Sequence, residues 1–362
     1  MKLKPILGIM ALIAALIAAQ LVLRLMDKEY YLTQLTMSLY YAIVVIGLCF
    51  VMGYAGQISL GHGAFFAIGG YTTAILTTED FSRFQDAAWS RWLKQAHVFV
   101  VNEDIYGVEM LNVSPWAAFI AAMVLTFVIA CLIGYPALRL KGHYLAMATL
   151  GFGLIVHKII IGSTITGATD GVHSVPEWSF GGVLEISDTS KLRVQNYYIA
   201  CGVALLLILL LRNVVRSRVG RALLAIHDHE TAANAMGINT ARYKLKAFVA
   251  SALLAAIAGV LLTHYTGGIN PSEAGALKSV RYVALVAASG MTNLWGAAVV
   301  STFLNFLSLR GWFGSYDNAV FGVILIAIMV FAPEGPLKPL GNLLRRFPGR
   351  WFAGTRSNHG AT

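Results

Sequence analysis

Long apolar runs separated by short polar stretches dominate this chain. Taking about 20 mostly apolar residues as one membrane-crossing helix, and allowing shorter runs where a helix is broken, spans fall at 6–25, 32–52, 58–77, 115–138, 144–163, 195–212, 247–265, 280–291, 294–310 and 317–332. The pattern thus predicts about ten spans. The run at 280–291 is too short to cross as a regular helix and reads as a half-span or as one arm of a broken pair with its successor. The first run, Ile6 to Leu23 behind Lys2 and Lys4, is longer than the apolar core of a cleaved signal peptide and reads as a retained helix.

Composition sharpens this picture. Of 362 residues, 57% are hydrophobic and 12% charged, with a mean hydropathy of +0.69. Soluble domains carry about 25% charged residues, so a water-facing globule is excluded, and so is disorder. The fold class expected is an all-α integral membrane protein. The net charge of +10 sits between apolar runs and is not interleaved with aromatics on one soluble face, which argues against a nucleic-acid partner. Instead it reports orientation, because cytoplasmic loops retain Lys and Arg. With residues 1–5, 139–143, 212–246 and 333–362 inside, those segments hold 16 Lys+Arg against only Asp228, Glu230 and Glu334. Both termini are therefore expected in the cytoplasm.

Two long outer loops remain, 78–114 with Glu79, Asp80, Asp86, Glu103, Asp104, Glu109, Trp89 and Trp92, and 164–194 with Asp170, Glu177, Glu185 and Asp188. Loops of this size are expected to hold short surface helices. Either they are a docking face for an external partner or they are a solvated rim.

Some chemistries are missing. Every Asp and Glu falls in a loop or at a span end, so no carboxylate is expected at membrane depth to carry a proton or Na+. Lys158 can snorkel outward along its stem, and His264 is expected to hydrogen-bond a neighbour. Cys49, Cys131 and Cys201 lie in apolar runs without metal-ligand spacing and read as packing residues. The sequence has no H-E-x-x-H, no G-x-S-x-G and no G-x-x-x-x-G-K-[ST] phosphate loop. The chain is thus expected to be no enzyme, to have no catalytic residues and to bind no metal or cofactor. Any energy from ATP must come through another subunit.

The inner segment 212–246 predicts two short helices, about Ser217 to Ile226 and Asp228 to Met236, stopped by Gly237 in a left-handed C-cap. Ala222, Leu223, Leu224, Ile226, Ala232, Ala233, Ala235 and Met236 make it apolar as well. Two readings stand side by side: the helices bury against a partner protein, or they lie on the lipid surface held by Arg212, Arg216, Arg218 and Arg221.

The stretch S217-R-V-G-R-A-L-L-A-I-H-D-H-E-T-A-A-N-A-M-G-I-N239 resembles the cytoplasmic coupling-helix motif of the permease subunits of branched-chain amino-acid ABC importers, of the LivM type. Ala232-Ala233 followed by Gly237 resembles the A-A-x-x-x-G core of the wider importer motif, which docks into the ATPase subunit. G53-Y-A-G-Q-I-S-L-G-H-G-A-F-F-A-I-G-G-Y71, L138-R-L-K-G-H-Y-L-A-M-A-T-L150, T166-G-A-T-D-G-V172 and F331-A-P-E-G335 match the same family, in order, so the resemblance runs from about residue 35 to 337. It departs in two places. Ser289-Gly290-Met291-Thr292-Asn293 replaces a Gly-Gly-x-Gly-type turn, with Arg281 where an acidic residue is common, and Ala168 stands where a second Gly is frequent.

The resemblance implies a permease domain over 31–337 that follows a first helix and outer turn at 1–30, carries coupling helices at 216–238 and ends in a basic tail at 338–362. It implies that Arg218, Gly220, Arg221, Glu230, Ala232, Ala233 and Gly237 carry the coupling. Thr166, Gly167, Asp170 and Gly171 join the translocation pathway on the strength of their motif. The implied partners are a second, LivH-like permease, two ABC ATPases that hold ATP and Mg, an external substrate-binding protein and membrane lipid, all at a bacterial inner membrane. Branched-chain or related amino acids are the implied cargo, with urea, short amides or other amino acids as alternatives within the family. An ATP-independent carrier is the rival of another class.

In G53-Y-A-G-Q-I-S-L-G-H-G63, Gly53, Gly56, Gly61 and Gly63 with Gln57, Ser59 and His62 interrupt an apolar stretch. Such a break fits a helix whose backbone lines a cavity. Close helix packing by small residues fits equally, and it is the reading preferred for Gly69 and Gly70.

Overall fold

The computed structural model describes residues 17–331 except 19, 27, 83–97, 104–108, 141, 181–183, 188 and 312–315. Most of the expected first span, Trp89 and Trp92, residues 332–335 of the last family motif and the tail at 338–362 lie outside the described residues.

In chain order the helices are α1 Tyr30–Ala55, α2 His62–Thr78, α3 Pro115–Ala137, α4 His143–Gly162, α5 Arg193–Arg216, α6 Arg218–Asp228, α7 Glu230–Ala235, α8 Thr240–Thr266, α9 Ala276–Ser289, α10 Leu294–Leu309 and α11 Asp317–Phe331. All the expected spans from the second onward appear as helices. Five of them, α1, α3, α4, α5 and α8, are long and apolar enough to cross a membrane. This is a helical, multi-pass membrane protein. The expected short span at 280–291 is the 14-residue α9.

Local chemistry sets several boundaries. Ser114 caps α3 by accepting from the Ala117 N–H, with Pro115 in the first turn where its missing N–H costs nothing. Asn239 caps α8 by accepting from the Arg242 N–H. Gly56 ends α1 at φ 67, its N–H returning to the Val51 carbonyl, a cap open to Gly because it has no Cβ to clash.

The two long loops, expected to hold short surface helices, carry a 3-10 turn at Ser190–Leu192 among the described residues. Beside it they form antiparallel two-stranded pairs that were not expected: β1 Phe99–Glu103 with β2 Glu109–Val113, and β4 Trp178–Phe180 with β5 Leu184–Ile186. A third pair joins β3 Val172–His173 to β6 Gly268–Ile269 beyond α8. Val100, Val101 and Val113 favour extended backbone, and β1 and β2 pair with Phe99 opposite Val113 and Val101 opposite Leu111, which a search for helical periodicity does not register.

The centre of the bundle is α1, most of whose residues are buried, packed against α5, α8 and α10. Helix α8 lies along α2 at very short range. A Cβ on Gly259 would come within 2.0 Å of the Phe66 carbonyl oxygen, and one on Gly69 within 2.5 Å of that of Ala256. The packing reading of Gly69 and Gly70 therefore describes their environment: without side chains the two backbones approach closely. The outer helices α3 and α4 leave Ile120, Leu132, Met147, Ile155 and Ile159 exposed, as lipid-facing surfaces do.

After α8 the chain does not stay outside the bundle. Strand β6 leads into a turn at Pro271–Ala274 that packs on α2 and α4, and α9 starts from there. This turn overturns the expectation that no carboxylate lies at depth. Glu273 is buried, and its Oε1 accepts from the Tyr41 hydroxyl at 3.0 Å and from the Lys278 ammonium. Tyr41 lies about 17 Å along α1 from its start at 1.5 Å per residue. In sequence Glu273 belongs to a loop; the loop is re-entrant.

Candidate functional site

Helices α6 and α7 form an angled pair between α5 and α8. The first is amphipathic at helical spacing: Gly220, Leu223 and Ile226 are buried, while Arg218, Arg221, Leu224, His227 and Asp228 are exposed. Ser217 caps it by accepting from the Val219 N–H. His229 leaves the helical region at φ −149 and separates it from α7. The buried stripe faces α5, α1 and α8 of this chain, so Leu223 and Ile226, with Ala233 of α7, find partners within the bundle, while Leu224, Ala232, Ala235 and Met236 stay exposed. Outward, α7 presents Ala232, Asn234, Ala235 and Met236, the last 83% exposed. Gly237 follows at φ 83 with open space around its Cβ position, so a left-handed backbone rather than crowding favours glycine there.

The seven coupling candidates are thus brought together, but they do not share one surface. Arg218, Arg221, Ala232 and Gly237 face out. Ala233 is buried, and Gly220 presses on the carbonyl of Val215, 1.9 Å from where a Cβ would stand. Glu230 pairs with Lys244 at 2.6 Å and ties α7 to α8.

The helix break leads straight into this pair. A Cβ on Gly56 would meet the His227 ring of α6 at 2.9 Å. Residues 56–61 are non-helical, and α2 begins within the bundle, where Gly63 N–H donates to Ser279 Oγ at 3.2 Å. His62 is fully buried between Ser59 Oγ at 3.1 Å and Ser251 Oγ of α8 at 2.6 Å, with Phe65 and Phe248 edge-on to its ring. Nε2 therefore ties α2 to α8, while Nδ1 ties it to the broken segment before it. Gln57 is different: it is 2% exposed, and neither its amide nitrogen nor its amide oxygen has a partner. Gly53 and Gly61 approach backbone closely, with Cβ positions 1.8 Å from the Met291 carbonyl oxygen and 2.9 Å from that of Thr149.

Thr166, Gly167, Asp170 and Gly171 lie elsewhere. Thr166 closes the C-terminal end of α4 by donating to the carbonyls of Ile160 and Ser163, while Gly61 sits against Thr149 in the second turn of α4. From Thr149 to Gly162, where α4 ends, is about 20 Å at 1.5 Å per residue, so the pathway candidates form two groups near opposite ends of one helix. Asp170 is exposed, and Gly171 at φ 84 presses on the Ile269 carbonyl, 2.2 Å from a Cβ. Ala168, the departure from the family pattern, holds φ 50.

Other expectations find their places. His264 donates from Nδ1 to the Pro176 carbonyl at 2.8 Å, and its Nε2 lies 3.2 Å from Thr73 Oγ1. Lys158 is exposed on α4, and the three cysteines are free thiols, Cys49 and Cys201 buried. No cluster of metal-ligating side chains exists among the described residues. A cleft of about 950 Å³ between α2, α3 and α4 is walled by Ile, Leu and Val, with Tyr71, Thr72 and Thr166 as its polar members; such a lining suits lipid chains better than a charged solute.

The group that sequence reading missed is Glu273 with Lys278, Tyr41, Arg281 and Tyr282, gathered where the re-entrant turn meets α1 and α9. The short span at 280–291, with Lys278 just before it and Arg281 at its start, was the available signal.

A family model described as branched-chain amino acid transport system / permease component matches residues 30–332. The chain belongs to this family. Among curated members of known name, it is 29% identical over 324 residues to the high-affinity branched-chain amino acid transport system permease protein LivM of Salmonella typhimurium, covering 83% of this chain and 68% of that one. It is 25% identical over 325 residues to BraD of Pseudomonas aeruginosa (85% and 96%) and 24% identical over 321 residues to LivH of Escherichia coli (85% and 96%), both named as permease proteins of the same kind of system. No solved structure matches the chain. For this family of transport permeases the exposed α6–α7 pair and the broken helices are the features to explain.

Proposed function

We propose that this chain is the membrane-spanning permease subunit of an ATP-driven importer for branched-chain or related amino acids, with the α6–α7 pair in the cytoplasm and the strand pairs outside. It forms half of the translocation pathway beside a LivH-like permease, over two ABC ATPases and beneath an external binding protein, in a bacterial inner membrane. The observation that carries the reading is the linkage of an exposed helix pair to the helix break: His227 of α6 sits on Gly56, and Glu230 of α7 is paired with Lys244 of α8. A push on the outward face of α7 therefore reaches both the start of α8 and the junction from which α2 enters the bundle. ATP and Mg act on the partner ATPases, whose closure would move α6 and α7 and switch the pathway from outward to inward opening.

The buried Glu273 removes one argument against an ATP-independent carrier, and Lys278 and Tyr41 already occupy one of its oxygens. The test is uptake of labelled leucine into cells or proteoliposomes that carry the complete complex. ATP-dependent uptake that is lost in Gly237→Leu, with the protein still inserted, supports the reading; a left-handed backbone costs a side chain about 1–2 kcal/mol and would distort the end of α7. Uptake that survives ATP depletion overturns it in favour of a carrier. Uptake of urea or short amides instead of leucine would keep the machine and change the cargo.

A further inference from the structure

Where α3 ends and α8 begins, a cavity of about 410 Å³ opens beside α7, bordered by Tyr135 of α3, Arg139 just beyond it, Glu230 of α7, and Thr240, Arg242 and Lys244 of α8. We propose that it holds the headgroup of an anionic glycerophospholipid of the cytoplasmic leaflet, an inference that rests on the importer reading above for the side of the membrane.

Charge points to an anion. Arg139, Arg242 and Lys244 bring three cations to the cavity and Glu230 one carboxylate, which Lys244 holds at 2.6 Å. Among the described residues no carboxylate pairs with Arg139 or Arg242, so two positive charges are left over. The Arg139 guanidinium donates to the Tyr135 hydroxyl at 2.7 Å and lies 4.6 Å from the centre of that ring, which orients it without neutralising it. The first turn of α8 also borders the cavity, and the N–H groups at a helix start carry partial positive charge. A phosphodiester meets such a set well, because guanidinium groups bind phosphate oxygens through charge-assisted hydrogen bonds.

Position makes that anion a lipid. Ile120, Val124, Phe127, Val128 and Tyr135 are exposed and recur at helical spacing, so one apolar face of α3 runs for about 22 Å at 1.5 Å per residue to the edge of the cavity. Half of the hydrocarbon core is about 15 Å thick, so acyl chains anchored at Arg139 meet an apolar wall along their whole length. A soluble phosphate gains nothing from that wall. Tyr135 ends the face at the level where aromatic rings mark the membrane boundary. The Lys and Arg of 139–143 and 212–246 make this the cytoplasmic end, where basic pockets between spans take acidic headgroups. At about 30 Å³ per water, the cavity has room for a phosphate and its glycerol. Lys244 then lies between Glu230 and the phosphate, so the lipid touches the ion pair that ties α7 to α8.

The test is native mass spectrometry of the purified full-length protein with its partner subunits, titrated in mild detergent with phosphatidylglycerol or phosphatidylcholine. Saturable binding of phosphatidylglycerol is expected, about tenfold tighter than that of phosphatidylcholine. Arg139→Gln and Arg242→Gln should each weaken it about fivefold, and Arg139→Lys should keep most of it. Glu230→Gln removes a negative charge from the cavity and should tighten binding about fivefold, a sign that a merely structural role does not give. Arg216→Gln, on the same side of the membrane but outside the cavity, should change nothing. The wild-type comparison of the two lipids decides the matter if a variant fails to assemble. Equal affinity for both lipids, or an equal loss in Arg216→Gln, overturns the proposal in favour of diffuse surface charge. Displacement by equimolar glycerol 3-phosphate overturns it in favour of a soluble anion, and binding that appears only after the ATPases are stripped away overturns it in favour of a protein occupant. Absence of ATP-dependent uptake by the same preparation would instead overturn the importer reading, and lipid binding is measured independently of it.

Discussion

Two regions of this molecule solve opposite problems. The α6–α7 pair hangs from the bundle by one buried stripe, Gly220, Leu223 and Ile226, and by the Glu230–Lys244 pair, and it leaves Ala232 and Met236 open. The junction of α1, α2, α8 and the re-entrant turn is closed on every side. Backbone meets backbone at Gly53, Gly69 and Gly259, and His62 is bound on both nitrogens. The difference separates what a part contributes to stability from what it offers to other molecules. Surface residues tolerate change and report on partners, whereas the junction tolerates little and reports on assembly.

The sharpest way to break that contrast is Gly53→Leu. With the Met291 carbonyl oxygen 1.8 Å from the Cβ position, the α9–α10 turn must move, at a cost of about 3 kcal/mol or more. Little monodisperse protein should survive extraction in mild detergent, and a normal yield would mean that the junction is softer than its geometry shows. His62→Ala comes next. It strands Ser59 and Ser251 in the core and should cost about 2 kcal/mol, seen as a lower melting temperature of the purified protein. Ala232→Trp probes the other side of the comparison. It should change stability by no more than about 0.5 kcal/mol yet reduce ATP-driven leucine uptake severalfold, and full uptake would remove the outward face of α7 from the coupling surface. The smallest effect is expected from Ala168→Gly, which relieves a left-handed backbone at φ 50 and should raise stability by about 1 kcal/mol in thermal unfolding.

Much of the helical layout was legible because it is local. Run length located α3 and α8, although the Asn239 cap starts α8 seven residues before the expected 247, the division of α6 from α7 lies within two residues of its expected place, and Gly237 takes its left-handed turn where a helix needs a stop. The β1–β2 pair was missed because strand pairing depends on a partner in space. The broken helix was expected around Gly53 to Gly63, and its non-helical part proved to be 56–61. Pathway and packing were open alternatives for its polar residues; the structure bonds His62 to Ser251 of α8 and to Ser59 beside it, and leaves Gln57 buried without a partner.

Apolar run lengths, caps and the asymmetry of Lys and Arg are properties of neighbouring residues, and by themselves they determined a multi-pass helical protein with an amphipathic helix pair on its most basic loop. Which polar residues meet is a matter of long-range contact. Tyr41 and Glu273 are 232 positions apart and His62 and Ser251 are 189 apart, and no period or motif brings such residues together. Only the tertiary structure could turn the loop after α8 inward, set Thr166 and Gly61 at opposite ends of α4, and put a carboxylate at the depth where hydropathy had placed none. Hydropathy averages over a window of neighbours, whereas the burial of a charge is decided by the distant groups that pair with it.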